Sequence, residues 1–196
     1  ITKTSPYGTV ERPFNPGELV IGAHGTFFAR SIDAEVNLTT ECMVAASKHD
    51  GLSVIEVLVN CMIFNNGTHK AFAGDKEVRA EHTITLRQGE KMLFGKNMDK
   101  GLMLDNMKLK VVTVGENGVT LDDILVHDAH EKDTMVHVML ASMKYPDFPV
   151  ALGIIRDVAE PTYEREVARQ IAEVQATAKI KNVDDLLNSG ETWEVE

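Results

Sequence analysis

A cysteine stands where an apolar run stops. Residues 52–59, LSVIEVLV, are almost wholly aliphatic, and the chain then turns polar through NCMIFNNG, with Cys61 second in that stretch. A thiol is a soft metal donor and, once ionised, a nucleophile. In parallel sheets ligands gather at the carboxyl ends of strands, so a thiol there could reach outwards. A buried cysteine that only fills space is the other reading of the same position. The ligand reading also needs donors from outside this segment, because one cysteine does not make a metal site. Cys42, the only other cysteine, falls with Leu38, Ala45, Ala46 and His49 at helical spacing and reads as a small core residue.

A second group is HDAHEKD, with His127, Asp128, His130, Glu131 and Asp133. Two imidazoles three residues apart among carboxylates could hold a metal. The same residues also suit a solvated loop entering a helix, whose first turn favours acidic side chains. His24, in GAHGTFF, could face a ligand at a strand mouth or could pack or cap. The sequence contains no Ser-His-Asp order, G-x-S-x-G, P-loop or G-x-G-x-x-G that would name another chemistry.

The elements that must position these residues follow from local signals. NPGELVIGAHG reads as a short helix, with Asn15 as cap and Pro16 at its first position. Residues 26–32, TFFARSI, read as a strand. Residues 38–49 read as a helix capped by Asn37 and ended by Gly51, and 52–59 as a buried strand. That β-α-β order calls for a parallel sheet with a right-handed crossover. Residues 65–108 read as an irregular connection, and a loop that long is usually functional or wraps a neighbour. Strands are expected at 109–114 and 148–155, with a turn at Asn117-Gly118. KDTMVHVMLASM reads as a helix with Met135, Met139 and Met143 in one stripe. Beyond Pro161 another helix carries Tyr163, Val167, Ile171 and Val174 on one face, and a last short helix is ended by Gly190. The expected fold class is α/β, a largely parallel sheet with flanking helices. Strands 26–32, 52–59 and 109–114 are expected to share that sheet.

Composition bounds the function. The chain has 196 residues, enough for one substantial domain, and 43% of them are hydrophobic. A net charge of −10 argues against a nucleic-acid surface, which needs a basic stripe. No run approaches the roughly 20 apolar residues that span a bilayer, so no membrane partner is expected. Two cysteines make no disulfide framework, and a reducing cytoplasm is the default compartment. The opening stretch, ITKTSPYGTVERPFNPGE, reads as an extended surface segment and suggests that something precedes residue 1.

Five stretches, in order, resemble a known family. TKTSPYGTVERPFNP, GAHGTFFARSI, HDGLSVIEVLVNCMIFNNG, MLFG…KGL and LKVVTVGENGV…DILVHD are similar to the β subunit of 2-oxoacid:ferredoxin oxidoreductases, nearest to the 2-oxoglutarate type. The likeness covers nearly the whole chain and weakens after about residue 160. It implies a thiamine-diphosphate-binding α/β fold. The cofactors it implies are thiamine diphosphate, Mg²⁺ and a [4Fe–4S] cluster. The activity it implies is oxidative decarboxylation of a 2-oxo acid to acyl-CoA and CO₂, with electrons passed through the cluster to ferredoxin. The family's C-x-x-C, its G-D-G…N motif and its Y-G-x-T-x-G-Q loop lie ahead of a segment like TKTSPYG, and none of them occurs here. The resemblance therefore reads this chain as the carboxyl-terminal half of a β subunit, inactive alone. Its implied partners are the amino-terminal half, an α subunit, ferredoxin, coenzyme A and a 2-oxo acid. In that reading 1–64 completes the thiamine-diphosphate-binding domain, 65–108 connects, and 109–196 is a strand-and-helix extension. The resemblance also implies that Cys61, at the family's V-L-x-x-C-x-x-x-N position with Asn65 following, is a cluster ligand. Met62 departs from the proline common there. No cofactor contact is implied for Ser5, Tyr7 or Gly8. A non-catalytic α/β binding or interaction module is the competing reading.

Overall fold

The computed structural model describes residues 5–8, 10–191 and 193. The chain divides into two compact units, 1–160 and 161–196.

In the first unit, α1 (Pro16–Gly22) begins as its sequence dictates: the Asn15 side chain accepts from the Gly17 N–H and Pro16 occupies the first turn. Strand β1 (Phe27–Ile32) is buried at every position. Helix α2 (Val36–Lys48) starts ahead of the expected cap. Glu35 stands at its N-cap without a side-chain cap bond, and Asn37 lies inside the first turn. Strand β2 is Ser53–Leu58. The expected irregular stretch 65–108 is a correction, because it is mostly ordered. It holds α3 (Lys70–Ala73), α4 (Lys76–His82), β3 (Thr83–Leu86), β4 (Leu93–Phe94) and β5 (Lys100–Asp105). Strand β6 (Lys108–Thr113), helix α5 (Met135–Ser142) and strand β7 (Val150–Asp157) complete the unit.

The main sheet has the order β2-β1-β7-β3. β1 pairs parallel with β2 from Phe27↔Ser53 to Ile32↔Leu58. β3 pairs parallel with β7, while β1 and β7 run antiparallel. The sheet is thus mixed with two of its three pairings parallel, and helices flank it. Alternation along β1 sends successive side chains to opposite faces. Phe28 packs with Ile21 of α1 and Leu140 and Ala141 of α5, while Phe27 and Ala29 pack with Leu38 and Cys42 of α2. Each fully buried Phe contributes on the order of 1.5–3 kcal/mol of transfer free energy.

Two further expectations, both about strands, are corrected. The strand at 109–114 exists as β6, but it belongs to a second, antiparallel sheet of order β4-β5-β6. β2 is not an interior strand; it forms an edge of the main sheet, and all six of its residues are half-buried. Helix α5 buries His137, Leu140 and Ala141; of the methionines in the expected stripe Met135 is exposed, while Met143, just past the helix, is buried in the core. Asn117 and Gly118 both take positive φ, 51° and 81°, in the expected turn.

The second unit holds α6 (Tyr163–Thr177), whose polar side is tied by Arg169 to Glu166 and Glu173, and α7 (Val183–Leu187), which ends at Asn188 rather than at Gly190.

Candidate functional site

The loop that leaves β2 is folded around its own side chains. Asp33, just past β1, accepts from the Asn60 backbone N–H at 2.9 Å and donates its own N–H to Leu58 O at 3.1 Å. These two bonds tie together the carboxyl ends of both parallel strands. Asn60 then closes the loop: its Oδ1 accepts from Gly67 N at 2.8 Å and its Nδ2 donates to Asn66 Oδ1 at 3.0 Å. Asn65 donates its N–H to Cys61 O at 3.0 Å and its side-chain amide to Thr68 Oγ1 at 2.9 Å. The asparagines that break the apolar run are thus the braces of one compact turn.

Cys61 sits at its mouth and is exposed, which overturns the buried structural reading. The neighbouring backbone N–H groups, Phe64 first and then Asn65 and Ile63, hold the thiol below its ordinary value. Nearby N–H groups stabilise negative charge on sulfur, which is what an iron-bound thiolate needs. The donor set fits one corner of a cluster and no more. Among the described residues no three His, Cys, Asp or Glu side chains come together as a metal site.

A cavity of about 430 Å³ opens at the same end of the sheet, lined by Leu58, Thr68 and His69, with Phe14, Phe72 and Tyr145 as walls. At its floor Arg30 Nε meets Glu56 Oε2 at 2.6 Å, and Arg30 also donates to Ala141 O at 3.1 Å. This pair, a buried Arg30 and a half-buried Glu56, was not singled out from the sequence.

The HDAHEKD group does not converge. His127 is 1% exposed and donates from Nε2 to Ile154 O at 2.8 Å. His130 reaches Asp157 O at 2.5 Å. Asp128 accepts from Gln88 and from the His130 N–H, and Asp133 accepts from the Met135 N–H at the start of α5. These side chains latch loops to the sheet. His137, missed in the sequence, donates from Nε2 to Asp128 O at 2.8 Å and accepts from Arg156 at 2.9 Å. Burial lowers the proton affinity of both His127 and His137. His24 takes φ 61°, its N–H reaching Ile21 O at 3.0 Å where α1 ends; its role is to terminate the helix. Cys42 is fully buried, and burial pushes its thiol up.

Sequence reasoning also missed a chain of three groups. His49 Nδ1 donates to Asp157 Oδ1 at 2.8 Å, which leaves Nε2 to accept the Thr26 hydroxyl at 2.8 Å. The order resembles a nucleophile–base–orienter series. It lies at the opening of β1 and β2, however, the end of the sheet away from Cys61, and the imidazole is only 3% exposed. There it ties the end of α2 to β1 and β7.

Comparison with known proteins places this architecture in a class: an α/β chain of the kind found in 2-oxoacid oxidoreductases. A solved 2-oxoglutarate:ferredoxin oxidoreductase from Magnetococcus marinus, with 2-oxoglutarate, coenzyme A and succinyl-CoA bound, matches 96% of this chain and 48% of its own at a TM-score of 0.57 and 15% identity. At that identity the likeness concerns the fold. By sequence the chain is a relative of the KorB subunits of 2-oxoglutarate oxidoreductases. It is 33% identical to the 2-oxoglutarate oxidoreductase subunit KorB of Mycobacterium tuberculosis over all of its own length and 52% of that protein's. A 60-residue stretch, 31% of this chain and 22% of the relative, is 42% identical to the 2-oxoglutarate synthase subunit KorB of Archaeoglobus fulgidus. The chain thus spans about half, or less, of the curated relatives it matches. No protein-family model matches it.

Proposed function

We propose that this chain is part of the β subunit of a 2-oxoacid:ferredoxin oxidoreductase acting on 2-oxoglutarate, and that Cys61 is one thiolate ligand of its [4Fe–4S] cluster. The observation that carries the reading is an exposed thiol at a strand end, on a loop braced by Asn60 and Asp33, in a chain similar along its whole length to a KorB subunit. In the complete enzyme thiamine diphosphate with Mg²⁺ would supply the decarboxylating chemistry, and the cluster would take electrons on to ferredoxin, with coenzyme A receiving the acyl group. This chain's contribution is positional. Asn60 and Asp33 lock the loop to the sheet, and the loop fixes where the Cys61 sulfur points. The remaining cluster donors and the groups that hold diphosphate and Mg²⁺ belong to the rest of the subunit, so the chain alone should be catalytically silent.

The test is substitution in the complete αβ enzyme, with iron and acid-labile sulfide counted per protein. Cys61→Ser should lose the cluster and its visible absorption, because oxygen is a poor replacement for thiolate on iron. Cys42→Ser should retain both, at a stability cost of about 1 kcal/mol or slightly more for a buried hydroxyl. Equal cluster content in the two variants, with normal ferredoxin reduction, would remove Cys61 from the site. Thiamine-dependent, 2-oxoglutarate-driven dye reduction by the isolated chain would refute the partial-subunit reading.

A further inference from the structure

Helix α6 is amphipathic, and none of its residues is buried. Tyr163, Val167, Ile171 and Val174 recur at helical spacing and so share one face. Of these, Tyr163 is 83%, Ile171 51% and Val174 62% exposed. An amphipathic helix owes most of its stability to what covers its apolar face. The charges beside that face are ordered along the helix. Glu164 and Glu166 stand in the first turn, and Lys179 and Lys181 lie just past the last. The chain as a whole carries a net charge of −10, yet residues 163–181 hold four Lys and Arg against three Glu. Two acidic copies can therefore meet at this segment without the repulsion that the rest of their surface brings.

We propose that the apolar face of α6 pairs with α6 of a second copy of this chain, the two helices antiparallel about a two-fold axis. A two-fold interface must be self-complementary, because one patch serves both partners. A single register meets that condition along the whole helix. Setting Ile171 opposite Val174 of the second copy also sets Val167 opposite its Ala178. The same register brings Glu166 to its Lys179 and Glu164 to its Lys181, each pair made twice by symmetry. A parallel pair would instead set acidic turn beside acidic turn and lysines beside lysines. Arg169, held by Glu166 and Glu173, keeps the outward side of each helix polar. The match lies between the two ends of one helix, which is why a second copy, rather than another polypeptide, is the occupant.

Sedimentation equilibrium of the full chain in reducing buffer tests this between about 1 and 300 µM, since one helix pair lies at the small end of interface sizes. The mass should rise from one copy to two across that range. Ile171→Glu, which favours helix at least as well as the wild-type residue, should weaken the association about tenfold or more. Glu166→Lys and Lys179→Glu should each weaken it about fivefold, and the two together in one chain should restore it to within about twofold, because each swapped pair again joins opposite charges. Both changes oppose the helix dipole. An effect through helix stability would therefore worsen in the double variant, whereas an effect through register is repaired. A chain that stays single throughout overturns the proposal, and the face then belongs to another polypeptide. A dimer indifferent to Ile171→Glu overturns it as well, as does a double variant weaker than either single one. None of these readouts depends on iron or on the role of Cys61.

Discussion

At the scale of single residues, the two cysteines separate by environment. Cys42 is fully buried and its thiol is pushed up, whereas Cys61 is exposed and neighbouring backbone N–H groups hold its thiol down. Brief treatment of the native chain with iodoacetamide at neutral pH should therefore carboxamidomethylate Cys61 and leave Cys42 intact, and peptide mass spectrometry gives the ratio. Comparable labelling of both would mean that α2 opens readily from the sheet. The position of Cys61 was legible in the sequence, since an apolar run ending in Asn-Cys implies a strand end. Its exposure and the N–H groups around it were not, because main-chain groups carry no residue signature. The bracing roles of Asp33 and Asn60 were equally hidden, as they depend on two strand ends lying side by side. The histidines of HDAHEKD show the reverse problem. Their types suggest a metal, and only the fold reveals that each one latches a backbone carbonyl.

At the scale of elements, β7 passes close to β3 at Gly153. Gly153 takes φ 100°, and a Cβ there would stand 2.6 Å from the Leu86 carbonyl oxygen of the paired strand. Gly153→Ala should lower stability by about 1–3 kcal/mol, through backbone strain and overpacking. Urea denaturation of the two proteins measures it, and an unchanged midpoint would show that the β7–β3 pairing has slack. Elements with strong local signals were readable before the fold: Asn15-Pro16 opens α1, and β1, β2, α2 and β7 lie within two residues of their expected ends. β3 was lost because four residues, TITL, between charged neighbours give too short a pattern. β6 was readable as a strand but not as a member of the second sheet, since a strand's sequence does not name its partner. For the same reason SVIEVL reads as an interior strand while lying at an edge.

At the scale of the whole molecule, acid should loosen the fold. Burial lowers the pKa of His127 and His137, so the unfolded chain binds protons more readily than the native one. Their contribution is fully present above the unfolded histidine value of about 6.5 and is lost as pH falls through the lower native values. Asp128, whose carboxyl is held down first by the Gln88 amide and then by the His130 N–H, adds a loss of the same sign in the carboxylate range. The urea midpoint should therefore drop between pH 7.5 and pH 5.5, and less so in His127→Phe. A midpoint that rises over that interval would show that protonated imidazoles find partners in the native state.

The last strand of the first unit lies in the middle of its main sheet, between β1 and β3. This sets a timetable for a chain made from its amino end. Before β7 leaves the ribosome, β1 and β2 can pair through the local α2 crossover, but β3 has no neighbour in that sheet and the Thr26–His49 link lacks its aspartate. Contacts that bridge such sequence separations form late and slowly. For most of its synthesis the nascent chain holds two half-finished edges open, and the final strand seals them both.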